Sequence, residues 1–84
     1  RKKMIKKLEK LSFENKQSQI FIETPYRNEK MFADLKSTLS KNTNLCIACD
    51  ITLSTEYIKT YTAEIWKKVK VDLHKRPAIY IIQK

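Results

Sequence analysis

A small α/β domain is the fold class this sequence predicts: a mixed, mainly parallel sheet of about four strands with helices packed on its faces, in the order α-β-α-β-β-α-β. Three observations carry that expectation. Ile20 to Ile22, Leu45 to Cys49 and Ala78 to Ile82 are continuous apolar runs rich in strand-favouring residues, as strands covered on both faces should be. Between them lie stretches whose apolar residues recur at helical spacing. The 84 residues make one small domain at most, near the size at which a single core suffices.

Arg1 to about Lys16 reads as an amphipathic helix, with Met4, Ile5, Leu8 and Leu11 on one stripe and lysines on the other face. Phe13 is placed to close its end. Asn15 to Ser18 is a polar turn into the first strand, whose apolar run ends at Glu23. Pro25 has no N–H for a ladder and biases Thr24 away from helical angles, so the strand stops there. Asn28 is positioned to cap a second helix, Asn28 to Ser40, with Met31, Phe32, Leu35 and Leu39 inward. Leu45 to Cys49 is the second strand and ends at Asp50, again an acid at a strand's exit. Residues 51–54 connect to a third strand, Thr55 to Tyr61, whose alternation leaves one face wet. Thr62 caps a third helix, Ala63 to about Lys70, with Ile65, Trp66 and Val69 inward and Trp66 as a core anchor. Val71 to Arg76 is a polar connection. Pro77 then opens the last strand, Ala78 to Ile82, whose apolar run predicts a central place in the sheet.

Glycine is absent from the chain. That excludes Gly-rich phosphate loops, nucleophile elbows and dinucleotide fingerprints, so any nucleotide chemistry takes its cofactor cradle from another segment. The chain opens inside a charged helical pattern without an initiator Met, as a piece of a longer protein would. Eighteen Lys and Arg against nine Asp and Glu leave a net charge of +9. This favours a polyanionic partner such as RNA or an acidic surface. A solvated lysine-rich surface accounts for it equally, because the lysines are spread along the chain. No run approaches the ~20 apolar residues a bilayer crossing needs, so no membrane partner is expected. Cys46 and Cys49 have the C-x-x-C spacing of redox or half-zinc sites, but they fall in a strand, where positions three apart point to opposite faces. With His74 the only histidine, structural thiols in a reducing cytoplasm, and no metal, are the expectation.

The polar cluster Glu23, Thr24, Tyr26 and Arg27 sits at the carboxyl end of a strand, where open α/β sheets bind ligands. A bare strand-to-helix connection has the same appearance. Three segments together go further: Phe21 to Arg27, Leu45 to Thr52, and Glu56 to Thr62. In order and spacing they resemble the C-terminal domain of the tetrapyrrole methylase superfamily, and most closely its ribosomal RNA small subunit methyltransferase I group. Proteins of that group carry an aromatic-x-Glu-Ala-Pro-His-Arg loop, an Ala-Arg-Glu-Leu-Thr-Lys segment and a strand followed by Thr-Leu-x-Glu. The resemblance runs from about Ser18 to the end of the chain.

What the resemblance implies is that residues 1–84 form the C-terminal domain of a two-domain, S-adenosylmethionine-dependent methyltransferase. Its missing N-terminal domain would hold the Gly-rich loop, and the cofactor would lie between the domains. The implied substrate is small-subunit (16S) ribosomal RNA, methylated on a ribose 2′-oxygen, and the implied full-length protein is a cytoplasmic homodimer. Glu23, Pro25 and Arg27 match the first motif, with Thr24 and Tyr26 where Ala and His are usual. Ala48 and Thr52 match the second, with Asp50 standing in for Glu. Cys49 and Leu53 replace two cations, and the closing His74 to Pro77 segment replaces a Lys-Gly-Glu turn. By this resemblance Glu23, Thr24, Pro25, Tyr26, Ala48, Asp50 and Thr52 face the cofactor, and Arg27 and Leu53 face the substrate. No catalytic residue is assigned. Methyl transfer to an oxygen is an in-line displacement that needs alignment of two ligands, and alignment is the role expected here, with Glu23 and Arg27 alternatively a structural pair. The competing reading is a stand-alone basic module that binds RNA or a protein partner without catalysis.

Overall fold

The last strand decides how the sheet is built. In the computed structural model, which describes residues 2–73 and 75–84 with Glu23 by its backbone only, the chain runs α1 (Lys2–Asn15), β1 (Gln19–Glu23), a short 3-10 turn (Pro25–Arg27), α2 (Asn28–Thr38), β2 (Asn44–Cys49), β3 (Tyr57–Thr62), α3 (Ala63–Trp66) and β4 (Ala78–Gln83). The four strands form one sheet in the order β1-β4-β2-β3. β4 lies between β1 and β2 and is antiparallel to both: Ala78 faces Glu23 on one side and Cys49 on the other, and Ile82 faces Gln19 and Leu45. β3 pairs antiparallel with the outer side of β2.

The mainly parallel sheet expected from the sequence is therefore not formed; every neighbouring pair is antiparallel. The reason lies in the crossovers. β1 and β2 run the same way and are joined through α2, and β3 and β4 run the same way and are joined through α3. Each of these parallel pairs is split by a strand of the other. Alternating strands and helices thus hold as a pattern along the chain, while the ladders they imply do not.

A second correction concerns the sheet's two faces. Leu45, Ile47, Cys49, Ala78, Tyr80 and Ile82 point inward to Ile5, Met31, Phe32, Leu35, Leu39, Trp66 and Leu73 and make the core. The opposite face carries the cross-strand row Ile22, Ile79, Ala48 and Ile58, and beside it Ile20, Ile81, Cys46 and Thr60. Ile20 and Ile22 are 64% and 73% exposed. The apolar runs are continuous because the outer face is also apolar, and not because helices cover it.

Local chemistry explains the elements. Thr62 accepts from the Ile65 N–H and caps α3, which ends at Trp66, short of Lys70, with Ile65 largely exposed. Trp66 is fully buried, donates its Nε1–H to the Leu45 carbonyl at 2.7 Å and meets Phe32 and Tyr61 edge-on. On α1, Ile5 is buried, while Met4 and Phe13 stay exposed, so Phe13 does not close the helix into the core. Asn28 does not cap α2 either. Its side chain is buried, its Nδ2 donates to the Leu73 and Arg76 carbonyls, and its Oδ1 accepts from the Tyr80 hydroxyl at 3.0 Å. One amide thereby ties the start of α2 to the connection before β4 and to the middle of β4. No helix among the described residues is long and apolar enough to cross a membrane.

Glu9 is a buried carboxylate on α1 that serves the same purpose at the other end of the sheet. It accepts from the Ser40 N–H at 2.7 Å, the Thr43 hydroxyl at 2.5 Å and Lys6 at 3.2 Å. Burial pushes its pKa up, but these hydrogen bonds outweigh burial and hold the group below the ordinary carboxylate range. Because the folded pKa is the depressed one, the stabilisation is complete above the unfolded carboxylate's pKa and is lost as pH falls through the folded value. Urea titrations should show stability dropping as pH is lowered below about 4. Glu9→Leu should cost about 2 kcal/mol at neutral pH through its stranded donors and should flatten that acid limb.

Candidate functional site

Because β4 begins where β1 and β2 end, the carboxyl ends of those two strands flank Ala78 at one end of the sheet. Three connections converge there: the Thr24–Arg27 turn after β1, residues 50–56 between β2 and β3, and residues 72, 73 and 75–77 before β4. Backbone bonds tie them together. The Asp50 N–H donates to the Pro77 carbonyl at 3.2 Å, and the Lys75 N–H donates to the Pro25 carbonyl at 3.3 Å. Between them lies an open cleft of about 450 Å³, lined by Ile22, Pro25, Asp50, Ile51, Leu53, Pro77, Ala78 and Ile79. Its walls are apolar, and through Ile22 and Ile79 it opens onto the uncovered face of the sheet.

One ion pair organises the rim. Arg76 Nε donates to Asp50 Oδ2 at 2.8 Å, its Nη1 to the Asp72 carbonyl at 2.6 Å and its Nη2 to the Thr55 carbonyl at 2.8 Å. The Thr55 hydroxyl donates to the same Asp50 oxygen at 2.8 Å. The Thr55 hydroxyl first, and then the Arg76 guanidinium, hold the Asp50 carboxyl below its usual range, and Asp50 in turn raises Arg76. A carboxylate so engaged is a poor proton acceptor. Asp50 shapes the cleft; it is not free to act as its base.

The backbone of this rim is strained where glycine would be relaxed. Asp50 and Thr52 have φ of 52° and 72°. Left-handed angles are tolerated by Asp but are an outlier for β-branched Thr. The conformation is held by the Thr52 N–H donating to Glu56 Oε1 at 2.8 Å and by successive turns closing Leu53 onto Asp50 and Glu56 onto Leu53.

Of the residues singled out from sequence, Pro25, Asp50 and Leu53 line the cleft. Thr52 lies between two lining residues but is exposed. Thr24, Tyr26 and Arg27 are exposed on the turn beside it, with Tyr26 77% exposed and the Lys75 ammonium 6.0 Å from its ring. Ala48 stands apart on the outer face between Ile79 and Ile58. Glu23 closes β1 with its backbone opposite Ala78, and its side chain, with the Glu23–Arg27 pair, lies outside the described set, as does His74. Arg76 is the residue sequence reasoning missed. Its signal was the acid at the exit of β2, which needed a cation that the chain supplies 26 positions later.

No protein-family model matches this chain, and no curated protein does.

Cys46 and Cys49 are free thiols on opposite faces of β2, and burial pushes the Cys49 thiol up, away from thiolate chemistry. Two outcomes test the rim. Thr52→Gly relieves the left-handed strain and should raise stability by about 1 kcal/mol in urea denaturation, net of glycine's greater unfolded-state freedom. Arg76→Met should speed hydrogen exchange at the Thr52, Leu53 and Glu56 amides while leaving the Leu45 and Ile47 amides in the sheet slow.

Proposed function

We propose that this domain forms one wall of a methyl-donor cleft: the C-terminal half of an S-adenosylmethionine-dependent methyltransferase acting on ribosomal RNA, with a companion domain supplying the other wall. The observation that supports it is the meeting of the Thr24–Arg27 turn, the Asp50–Leu53 turn and Pro77 around one apolar cleft. Pro25 and Asp50 belong to segments that resemble the tetrapyrrole methylase pattern, and they come together although they lie about 25 residues apart in sequence, whereas Leu53 and Pro77 stand where this chain departs from that pattern. An apolar slot suits the flat face of an adenine ring and the carbon skeleton of a sulfonium donor. The missing glycines fit the same division of labour, since the amino-acid end of the cofactor would be cradled elsewhere.

The chemistry left to this chain is alignment. Asp50 and Arg76 are committed to each other, so neither carries a proton for the reaction. Leu53 and Ile51 offer apolar contact at the mouth, and Tyr26 and Arg27 stand exposed on the adjoining turn, available to a substrate ring or phosphate. The uncovered row Ile22, Ile79, Ala48 and Ile58 is continuous with the cleft, which suits a surface completed by the companion domain or, in a dimer of the whole protein, a second copy. Free thiols and a ribosomal RNA substrate both accord with the cytoplasm.

A non-catalytic RNA-binding module is the second reading, favoured by the basic groove described below. The two are separated by titrating S-adenosylmethionine into the labelled chain and following amide chemical shifts. Weak, saturable shifts confined to Pro25-adjacent Tyr26, residues 50–53 and Ala78–Ile79 are expected, with loss of binding in Leu53→Asp. No shifts at millimolar ligand, or shifts only at α1, would sink the methyl-donor reading.

A further inference from the structure

At the far end of β4 from the cleft lies a second, differently built surface. Lys6, Glu9, Lys10, Phe13, Ser40 and Lys84 line one groove, and Lys2, Lys3, Lys6, Ser37 and Thr38 line another; Lys6 is common to both. Together they make one furrow between α1 and the end of α2, about 420 Å³ and 480 Å³ in its two parts. Lys3, Lys6, Lys10 and Phe13 follow one another at spacings of three, four and three along α1, a single stripe on one face of the helix. Phe13 is 64% exposed, and the Lys84 ammonium sits 5.9 Å from its ring centre.

Of the lysines lining the furrow only Lys6 is set against a carboxylate among the described residues, Glu9 at 3.2 Å. Glu9 is the one acid among the lining residues, and its oxygens are already taken by Ser40, Thr43 and Lys6. The lysines also oppose the helix that carries them. Lys2, Lys3, Lys6 and Lys7 occupy its first two turns, where the macrodipole is positive and no acid stands in the first turn, and Lys2–Lys6, Lys3–Lys7 and Lys6–Lys10 repel at i,i+4. A polyanion laid along the stripe would relieve both costs. An exposed phenyl ring among lysines adds what a bare lysine surface lacks, a stacking platform for an unpaired base.

We infer that this furrow binds single-stranded nucleic acid, with Lys3, Lys10 and Lys84 on phosphates and a base stacked on Phe13. It lies about 20 Å from the cleft, the length of the six-residue strand β4. A strand held here would reach the cleft several nucleotides away, which separates docking from the site of chemistry. The inference rests on the cleft reading only in taking RNA ahead of DNA as the natural strand.

The test is fluorescence anisotropy with a labelled single-stranded RNA of about a dozen nucleotides, a DNA of the same sequence, and polyglutamate, across a salt series. Replacing Lys3, Lys10 and Lys84 together by Gln should make the slope of log affinity against log salt shallower by about 2, at roughly 0.7 per phosphate contact. Phe13→Ser should weaken binding by about five- to a hundredfold with the slope unchanged. These side chains are exposed or at the furrow's lip, so far-UV circular dichroism and melting should match the parent chain. Amide shifts in the unaltered chain, which need no variant, should cluster at residues 3–13 and 37–40 on adding RNA. Binding to RNA, or to RNA and DNA alike, with these losses supports the inference, and tighter RNA binding names the strand. Unchanged affinity in the lysine or phenylalanine variants, polyglutamate binding as tight as RNA, or shifts clustered elsewhere would overturn it. Cofactor shifts at residues 50–53 are read separately, so either proposal can fail while the other stands.

Discussion

Everything in this fold depends on β4 being held between two strands that would otherwise have no common neighbour. All of its backbone ladder is shared: β1 takes one edge and β2 the other. Its inward residues Ala78, Tyr80 and Ile82 floor the core, and the stacked rings of Phe21 and Tyr80 bind it to β1. The Tyr80 hydroxyl then reaches the Asn28 amide, which grips the two carbonyls that set the approach to β4. A buried, fully paired polar cluster of this kind specifies one arrangement, since any other placement of the strand strands donors and acceptors away from water. The late element of the chain is thus the one that makes the early elements a sheet.

That interleaving also creates the cleft. Two strands running the same way on either side of an antiparallel third must deliver their carboxyl ends to the place where the third begins. The connections that meet there are secured by bonds from one to the next, with Asp50 and Arg76 at the centre. Polar bonds hold the rim from behind, and its surface toward the cleft is apolar. The strain at Thr52 sits in the same turn, where a chain without glycine has placed a β-branched residue at a left-handed position and secured it with Glu56.

The two ends of the sheet differ in character. At the cleft end Asp50 and Arg76 are paired with each other, the cleft walls are apolar, and Arg27 and Lys75 stand exposed on the adjoining turns. At the other end the buried carboxylate of Glu9 secures Ser40, Thr43 and Lys6, and the remaining lysines of the furrow face outward. Net positive charge on the whole chain does not say where a polyanion sits. Lys2, Lys3, Lys6, Lys7 and Lys10 give α1 the densest run of positive charge, while the other cations are spread over the remaining elements.

Several features were legible in the sequence because they depend on neighbours along the chain. Thr62 before an apolar helical turn marked the α3 cap, Pro25 marked the end of β1, and the unbroken run after Pro77 marked a central strand. The spacing of Cys46 and Cys49 placed them on opposite faces of one strand, because a strand's side chains alternate whatever it pairs with. Which strand pairs with which was not legible, since α2 and α3 connect parallel strands in either a simple or a split arrangement and the residues between look the same. Nor could Asn28 be told from a helix cap, or Arg76 from a solvated cation, because their partners lie 52 and 26 positions away and only packing brings them near. Short-range chemistry was written in the order of residues; the faces, the ladders and the long-range polar partners were decided by how much apolar surface the folded chain could bury at once.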